Sequence, residues 1–398
     1  MHIDEEGFSY PYVDNDQCIN CGLCEKVCPV INQSEKREPL VVWAAKNCDN
    51  SQRMDSSSGG VFIKLATKVI DAGGVVIGAA FDQNFNLKHE IATDIDGVRR
   101  FMGSKYLQSS PNHCYQQTEK YLKEGRTVLY SGTPCQVAGL HRFLRKGYTN
   151  LITVDCICHG VPSPGVFNAF VRDEILRLEG KQTEIPECFP LPDNIPLPSN
   201  CVVNKISFRD KSKGWKMYHF LLDISFTSNK GHIKRRTRYI RVDKNPFMDG
   251  FLHDLYLRPS CYECPAKSLS SGADITLGDF WGVESLHPDF FDNKGISAVT
   301  INTQKGQEFL ESIGLDYRTS SWTDLVQQNR ALTTSVRETP KRALFWQNDH
   351  KNFADKVKPL CKRKISARER LHIIIENNIS LSKRIVIRQF LKRIGVRR

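Results

Sequence analysis

The residues whose types and spacing carry the most chemistry are Cys18-Ile-Asn-Cys21-Gly-Leu-Cys24-Glu-Lys-Val-Cys28-Pro29, an unbroken C-x2-C-x2-C-x3-C-P run. Thiolates two residues apart can wrap three corners of a 4Fe-4S cubane, and the fourth cysteine followed by proline completes the iron–sulfur pattern. Gly22 lets the backbone pass close to the sulfides, and Pro29 stops the short helix that carries Cys28. Structural zinc sites pair two short hooks and do not run four thiols together, so iron–sulfur is the expected occupant.

In two-cluster ferredoxins the fourth cysteine of such a run serves the other cluster. The sequence holds no second run, and Met1 to Pro11 resembles the acidic, aromatic linker that joins two runs. Cys18, Cys21 and Cys24 therefore need a further ligand, either a distant thiol such as Cys48 or a thiol from a first run upstream. Residues 1–33 are read as an incomplete ferredoxin-type segment.

The chain has 398 residues and 14 cysteines. No basic, apolar leader precedes the acidic N-terminus, so the thiols are expected to be reduced or metal-bound in a cytoplasmic protein. No apolar run approaches the roughly 18 residues that span a bilayer. The net charge of +12 resides in residues 351–398, where 15 Lys/Arg face Asp355, Glu369 and Glu376. A neutral body with a basic tail and no groove-reading motif argues against nucleic acid as a partner. In the tail, Val386, Phe390 and Ile394 recur at helical spacing opposite Lys383, Arg384, Arg388 and Lys392. This basic amphipathic pattern suits either peripheral contact of residues 380–398 with an anionic membrane or packing against the protein's own body.

The elements that must position the chemistry follow from periodicity. Leu40–Ala45 reads as a strand, and Ser56-Ser-Ser-Gly-Gly60 opens a helix with Val61, Leu65, Ala66 and Val69 on one face. Val75–Phe81 is the next strand and His89–Thr93 another. A Ser/Gly loop entering a helix offers free N–H groups to a phosphate, although an ordinary helix cap explains it equally well. Lys105, in a Gly/Ser turn, is either solvated or turned toward an anionic cofactor. Thr127–Tyr130 and Leu151–Asp155 are strands that run into Ser131-Gly-Thr-Pro-Cys135 and Cys156-Ile-Cys158-His-Gly160, loops expected to share one sheet edge. A Pro-rich seam, 179–199, precedes an antiparallel meander over 204–210, 218–228 and 232–241. A helix over 245–257 then leads to Cys261-Tyr-Glu-Cys264-Pro265, and 296–302 is the last strand before an all-helical remainder. The expected class is α+β or α/β: an iron–sulfur segment followed by mixed α/β domains at 40–122 and 123–300 and a helical, basic extension at 301–398.

Taken together, Ser56–Gly60, Gly103–Tyr106, Gly132–Gln136, Cys158-His-Gly160, Cys261–Cys264 and Ala273–Gly282 resemble, in order, the family of coenzyme F-420 hydrogenase/dehydrogenase beta subunits. The resemblance runs from the iron–sulfur run to about Val283. It implies a flavoprotein oxidoreductase holding FAD or another flavin near Ser57, Ser58, Gly59, Gly60, Lys105 and Tyr106. It further implies mixed α/β flavin-binding domains, a one-electron donor such as a ferredoxin or partner redox subunit, and an organic hydride substrate. The competing reading is an electron-transfer or adaptor subunit whose partner performs the chemistry.

Within those motifs Cys135, Cys158, Cys261 and Cys264 lie in bendable Gly/Pro loops and are expected to hold an inner 4Fe-4S cluster, with the C-x2-C hook supplying two ligands. Cys156 could stand in for Cys158, since a strand would point both to one face. Cys135, at a helix start, could instead be a low-pKa nucleophile. Cys48, Cys114, Cys188, Cys201 and Cys361 lie in no such context.

Overall fold

A computed structural model describes residues 1–83, 85–181, 200–228, 230–347 and 352–361. The Pro-rich seam with Cys188, for all but its first residues, and the basic amphipathic segment 380–398 fall outside these residues. The chain opens with a hairpin, β1 (His2–Ile3) and β2 (Ser9–Tyr10), and a single helical turn, α1 (Leu23–Lys26), inside the cysteine run. Next come β3 (Val41–Lys46), α2 (Asn50–Asp55), α3 (Val61–Asp71), β4 (Val75–Phe81), β5 (Leu87–Ala92), α4 (Ile95–Arg99) and α5 (Cys114–Lys123). They are followed by β6 (Val128–Gly132), α6 (Pro134–Leu144), β7 (Leu151–Cys156) and α7 (Pro164–Glu179). The meander is β8 (Cys201–Asp210), β9 (His219–Thr227) and β10 (Ile233–Arg241), and α8 (Pro246–Leu252) leads out of it. The chain closes with β11 (Ile275–Asp279), α9 (Val283–Leu286), β12 (Ser297–Ile301), α10 (Gln304–Glu311), β13 (Asp316–Ser320), α11 (Trp322–Gln328), α12 (Pro340–Gln347) and α13 (Phe353–Cys361).

The fold is mixed α/β. Eight strands form one sheet in the order β13-β3-β12-β11-β7-β6-β4-β5, and the meander forms a separate three-stranded sheet. The central strands β11, β7, β6 and β4 are parallel, whereas β12, β3, β13 and β5 pair antiparallel. Parallel strands must be covered on both faces, and their apolar residues divide accordingly. Val76, Leu129 and Ile152 pack under Leu65 and Val69 of α3. Val75, Ile77, Val128 and Tyr130 face Leu122 of α5 and Val137 and Leu140 of α6. A second core of Phe167, Phe170, Phe208, Phe220 and Phe247 joins α7 and α8 to the meander.

Three sequence expectations need correction. The stretch after residue 302 is not all helical, because β13 adds an antiparallel edge strand to β3, with Tyr317 stacked on Trp43 at 4.0 Å. Its short, largely polar sequence buries little, so periodicity alone misses it. The helix expected over 245–257 stops at Leu252: Asp254 turns left-handed and Leu255 N–H donates to the Gly250 carbonyl at 3.0 Å, which closes the last turn. The residues read as a linker, 2–11, instead form the β1–β2 hairpin, docked on the body through fully buried Phe8 and a Glu6–Arg342 ion pair.

His89 on β5 yields a first prediction. It is almost fully buried, stacks on Tyr130 at 5.4 Å and donates from Nε2 to the Ser131 carbonyl at 3.0 Å. Burial pulls its pKa down to about 4. The unfolded chain, with an ordinary histidine, takes up a proton at higher pH than the native state does. Stability is therefore fully present above pH ~6.5 and falls by about 3 kcal/mol as the pH drops to about 4. Chemical denaturation across this range should show that slope in the native protein and a flatter one in His89→Gln; equal slopes would refute the assignment.

Candidate functional site

The strand directions bring the motif loops together. In a sheet with parallel β11, β7, β6 and β4, the C-terminal ends of those strands lie on one edge, and the antiparallel pairing Asp279↔Ser297↔Ala45 places the start of β12 and the end of β3 on the same edge. The Ser56–Gly60 loop after β3, Cys135 after β6, Cys156–Gly160 after β7 and Asp279–Gly282 after β11 all leave from it.

Four thiols converge there. Cys135 is the second residue of α6, whose N-terminus is fixed by a Thr133/Gln136 capping box with Pro134 at the first position. Thr133 Oγ1 lies 3.1 Å from Cys135 Sγ, and Gln136 Nε2 reaches back to the Ser109 carbonyl at 3.0 Å. Cys158 sits in the turn after β7, its carbonyl accepting from Lys267 Nζ at 2.7 Å. Cys261 and Cys264 form a hook that is tied to that turn by the Pro162↔Leu257 bridge and by Arg258 N–H donating to the Val161 carbonyl at 2.9 Å. Gly160 permits this approach, since a Cβ there would lie 2.9 Å from Leu257 Cδ1 and 3.4 Å from Cys261 Cβ. All four cysteines, and Cys156 beside them, line one cavity of about 420 Å³.

The electrostatics register the convergence. Burial pushes the Cys135 thiol up to about 11 and the Cys261 thiol up to about 12, with the other cavity thiols adding to both. Cys158 is raised first by its hydrogen bond with Cys156 and then by burial, and Cys264 is raised by burial. Cys135 has accessible area because it faces the cavity, while the protein packed around it desolvates the thiol. A thiol so raised has almost no thiolate at neutral pH, which weighs against the nucleophile alternative. Lys267 favours the charged forms of Cys158 and Cys264, and Arg258 that of Cys135. Spacing could not choose between Cys156 and Cys158, and both thiols border the cavity.

The N-terminal run lies against the same space. Cys18, Cys21 and Cys24 are exposed and Cys28 is half-buried. The next two residues, Pro29 and Val30, line the cavity. Arg142 of α6 fastens this segment by donating to the Asn32 carbonyl at 2.7 Å. Cys48 is exposed in the turn between β3 and α2.

The Ser/Gly loop is held largely by its own side chains. Ser57 Oγ accepts from Ser104 N–H at 2.5 Å, Ser58 Oγ donates to the Ile296 carbonyl at 2.8 Å, and Gly59 N–H donates to Ser297 Oγ at 3.0 Å. A Cβ on Gly59 would come within 2.4 Å of the Ala45 carbonyl oxygen, so this glycine is required for packing. Gly60, left-handed, begins the eleven-residue α3 with no side-chain cap. Lys105 is turned back on the Phe101, Met102 and Gly103 carbonyls at 3.0–3.1 Å, and burial, with Arg100 nearby, pulls its pKa to about 7. Tyr106 packs between Phe208 and Phe251, and its hydroxyl accepts from Arg209 at 3.3 Å. Arg209 in turn pairs with Asp279. Sequence reasoning missed Lys267, Arg258, Arg209 and Lys211. Lys211 Nζ donates to the Arg53, Ser58 and Lys294 carbonyls at 2.6–2.8 Å. The only signal for the first two was their place beside the C-x2-C hook.

Two regions of the chain match known families. Residues 11–30 match the 4Fe-4S binding domain, and residues 125–319 match the C terminus of the coenzyme F420 hydrogenase/dehydrogenase beta subunit. The chain is 24% identical over 304 residues to an F(420)H(2) dehydrogenase subunit of Methanosarcina mazei, an alignment covering 74% of this chain and 70% of that protein. A chain of the F420-reducing NiFe hydrogenase complex of Methanosarcina barkeri superposes with a TM-score of 0.44 at 16% identity, covering 74% of this chain and 90% of that one. With an iron–sulfur run on its N-terminal side and the C-terminal region of these redox proteins folded behind it, the chain belongs to the family of coenzyme F420 hydrogenase/dehydrogenase beta subunits.

Proposed function

We propose that the chain is an iron–sulfur flavoprotein oxidoreductase in which electrons enter at the Cys18–Cys28 site, step to an inner 4Fe-4S cluster at Cys135, Cys158, Cys261 and Cys264, and reach a flavin beside the Ser57–Gly60 loop. The observation that carries this reading is the shared cavity, which has the inner thiols on its walls and Pro29 and Val30, directly after Cys28, among its lining residues. The thiol set fits a cluster better than a single ion. Bonds of about 2.3 Å to a tetrahedral zinc would draw sulfurs to within roughly 4 Å of one another. Among the described residues, three potential ligand atoms within 4.8 Å of one another occur at Asp249, His253 and Cys361 and not among the cavity thiols.

When bound, a flavin supplies exchange between a two-electron organic substrate and one-electron carriers. The chain's residues would bind and orient it. The uncapped N-terminus of α3 offers N–H groups and a favourable dipole to its phosphates, and the bonds made by Ser57, Ser58 and Gly59 fix the loop. Lys105, held over three carbonyls, stiffens the turn carrying Tyr106. The exposed side chains of Ile19, Leu23, Val30 and Ile31 around the outer cysteines suit contact with a redox partner. The relatives' names make a reduced deazaflavin a reasonable hydride donor to test, alongside other organic carriers.

Anaerobically purified protein should contain iron, acid-labile sulfide and flavin. Its flavin should bleach with dithionite and reoxidise on addition of an organic acceptor with no second protein present. A flavin-free chain that retains iron and sulfide would instead support the reading as an electron-transfer subunit.

A further inference from the structure

We propose that Asp249, His253 and Cys361 form a zinc site that fastens α13 to α8, separate from the iron–sulfur chemistry. One ligand-type atom from each residue lies within 4.8 Å of the other two. Asp249 and His253 occupy i and i+4 at the end of α8, so they project from the same side of one helical turn, and Cys361 comes from the last turn of α13. Side-chain movement of about 1 Å would bring these atoms to the ligand spacing of a tetrahedral zinc, whose bonds are roughly 2.0–2.3 Å long.

The donor chemistry selects the metal. A thiolate, an imidazole and a carboxylate are the three side-chain types zinc takes, whereas magnesium and calcium prefer all-oxygen shells. Water would complete the fourth position. The histidine is also oriented as a metal ligand should be: its Nδ1–H donates to the Asp249 carbonyl at 2.9 Å, which leaves the Nε2 lone pair for the ion and fixes the ring by an outer hydrogen bond. Asp249 Oδ1 lies 3.3 Å from the same ring, and the Cys361 thiol is hydrogen-bonded to the Asp249 carboxylate. The nearby cation is Lys341, whose Nζ donates to the Leu360 carbonyl at 2.6 Å.

The location gives the site a structural purpose. On α13, Phe353 packs against Phe170 at 5.6 Å, and Val357 and Leu360 join the same aromatic core. Directly after His253, Asp254 accepts a 2.7 Å bond from His159 Nε2, the residue following Cys158, and the chain then enters the Cys261–Cys264 hook. A metal at the end of α8 would brace the segment that carries the hook.

The test is zinc and iron content of the full-length, anaerobically purified protein, together with thermal unfolding with and without added zinc chloride. About one zinc per chain is expected after dialysis. His253→Ala and Asp249→Asn should bring zinc to background with iron unchanged and should remove any zinc-dependent rise in Tm. Cys361→Ser should do the same, but Cys361 is buried and its variant is prone to misfold, so the partly exposed His253 carries the decision. A wild-type protein without zinc and without a Tm response would overturn the proposal. So would zinc that persists in His253→Ala, since the ion would then sit on the cluster cysteines.

Discussion

Cys261→Ser combined with Cys264→Ser is expected to remove the inner cluster's iron, roughly half of the total if both sites hold cubanes, and to leave the N-terminal site loaded. The reasoning is geometric. Four thiols from three separate loops face one cavity, and the hook supplies two of them from one short segment, so losing both leaves Cys135 and Cys158 as too few donors to retain a cluster. Single serine variants at Cys135, Cys158, Cys261 and Cys264 should each lose the same share of iron and slow flavin reduction by a one-electron donor, while Cys188→Ser does neither. Cys156→Ser adds a discriminating arm. Its thiol hydrogen-bonds to Cys158 and borders the cavity, so an iron loss matching that of Cys158→Ser would make the pair interchangeable ligands. Full iron content in the double variant would rule the inner cluster out and leave the four thiols a packing role.

Much of this site was legible in the sequence because its signals are local. The spacing of Cys18–Cys28, the hook at Cys261–Cys264 and the strand-to-loop transitions at Gly132 and Cys156 are read from a few adjacent residues, and apolar runs and alternation set β4, β6, β7 and most of the meander closely. Other features depend on contacts hundreds of positions apart. Nothing near Lys211 announces that its ammonium will be spent on carbonyls of Arg53, Ser58 and Lys294. Nor does Asp316-Tyr-Arg-Thr-Ser320 look like a strand until Trp43 is present for Tyr317 to stack upon. The same limit applies to Lys105: its position in a Gly/Ser turn suggests an outward, anion-seeking side chain, and only the fold reveals the three carbonyls it satisfies. The end of α8 was missed for a similar reason, since Asp254 in a left-handed conformation is a tertiary outcome held in part by its bond to His159.

Asp279→Ala should be the most destabilising single change at the sheet edge, by about 3–5 kcal/mol, because it would strand a buried guanidinium. The Arg209 side chain is only 2% exposed and is ion-paired to Asp279. Burial alone would lower its pKa, but the adjacent carboxylate more than offsets this and keeps it charged. The ring of Tyr218 lies 4.1 Å from the guanidinium and that of Trp281 5.4 Å away, which helps desolvate it but cannot replace the carboxylate. Asp279 also accepts from Trp215 Nε1 at 2.9 Å, so the alanine variant would orphan a second buried donor. Asp279→Asn retains an oxygen for Trp215 and should cost less. Arg209→Met made together with Asp279→Leu should recover most of the lost stability, since removing both charges removes the desolvation problem with them. Equilibrium denaturation of these variants separates the two contributions. Because Arg209 also donates to the Tyr106 hydroxyl at 3.3 Å, the charge-free double variant should unfold nearly as the native protein does yet bind flavin more weakly. An Asp279→Ala variant within about 1 kcal/mol of the native protein would mean that Arg209 finds water or another partner at this edge, and the pair would then not be what holds Tyr106 in place.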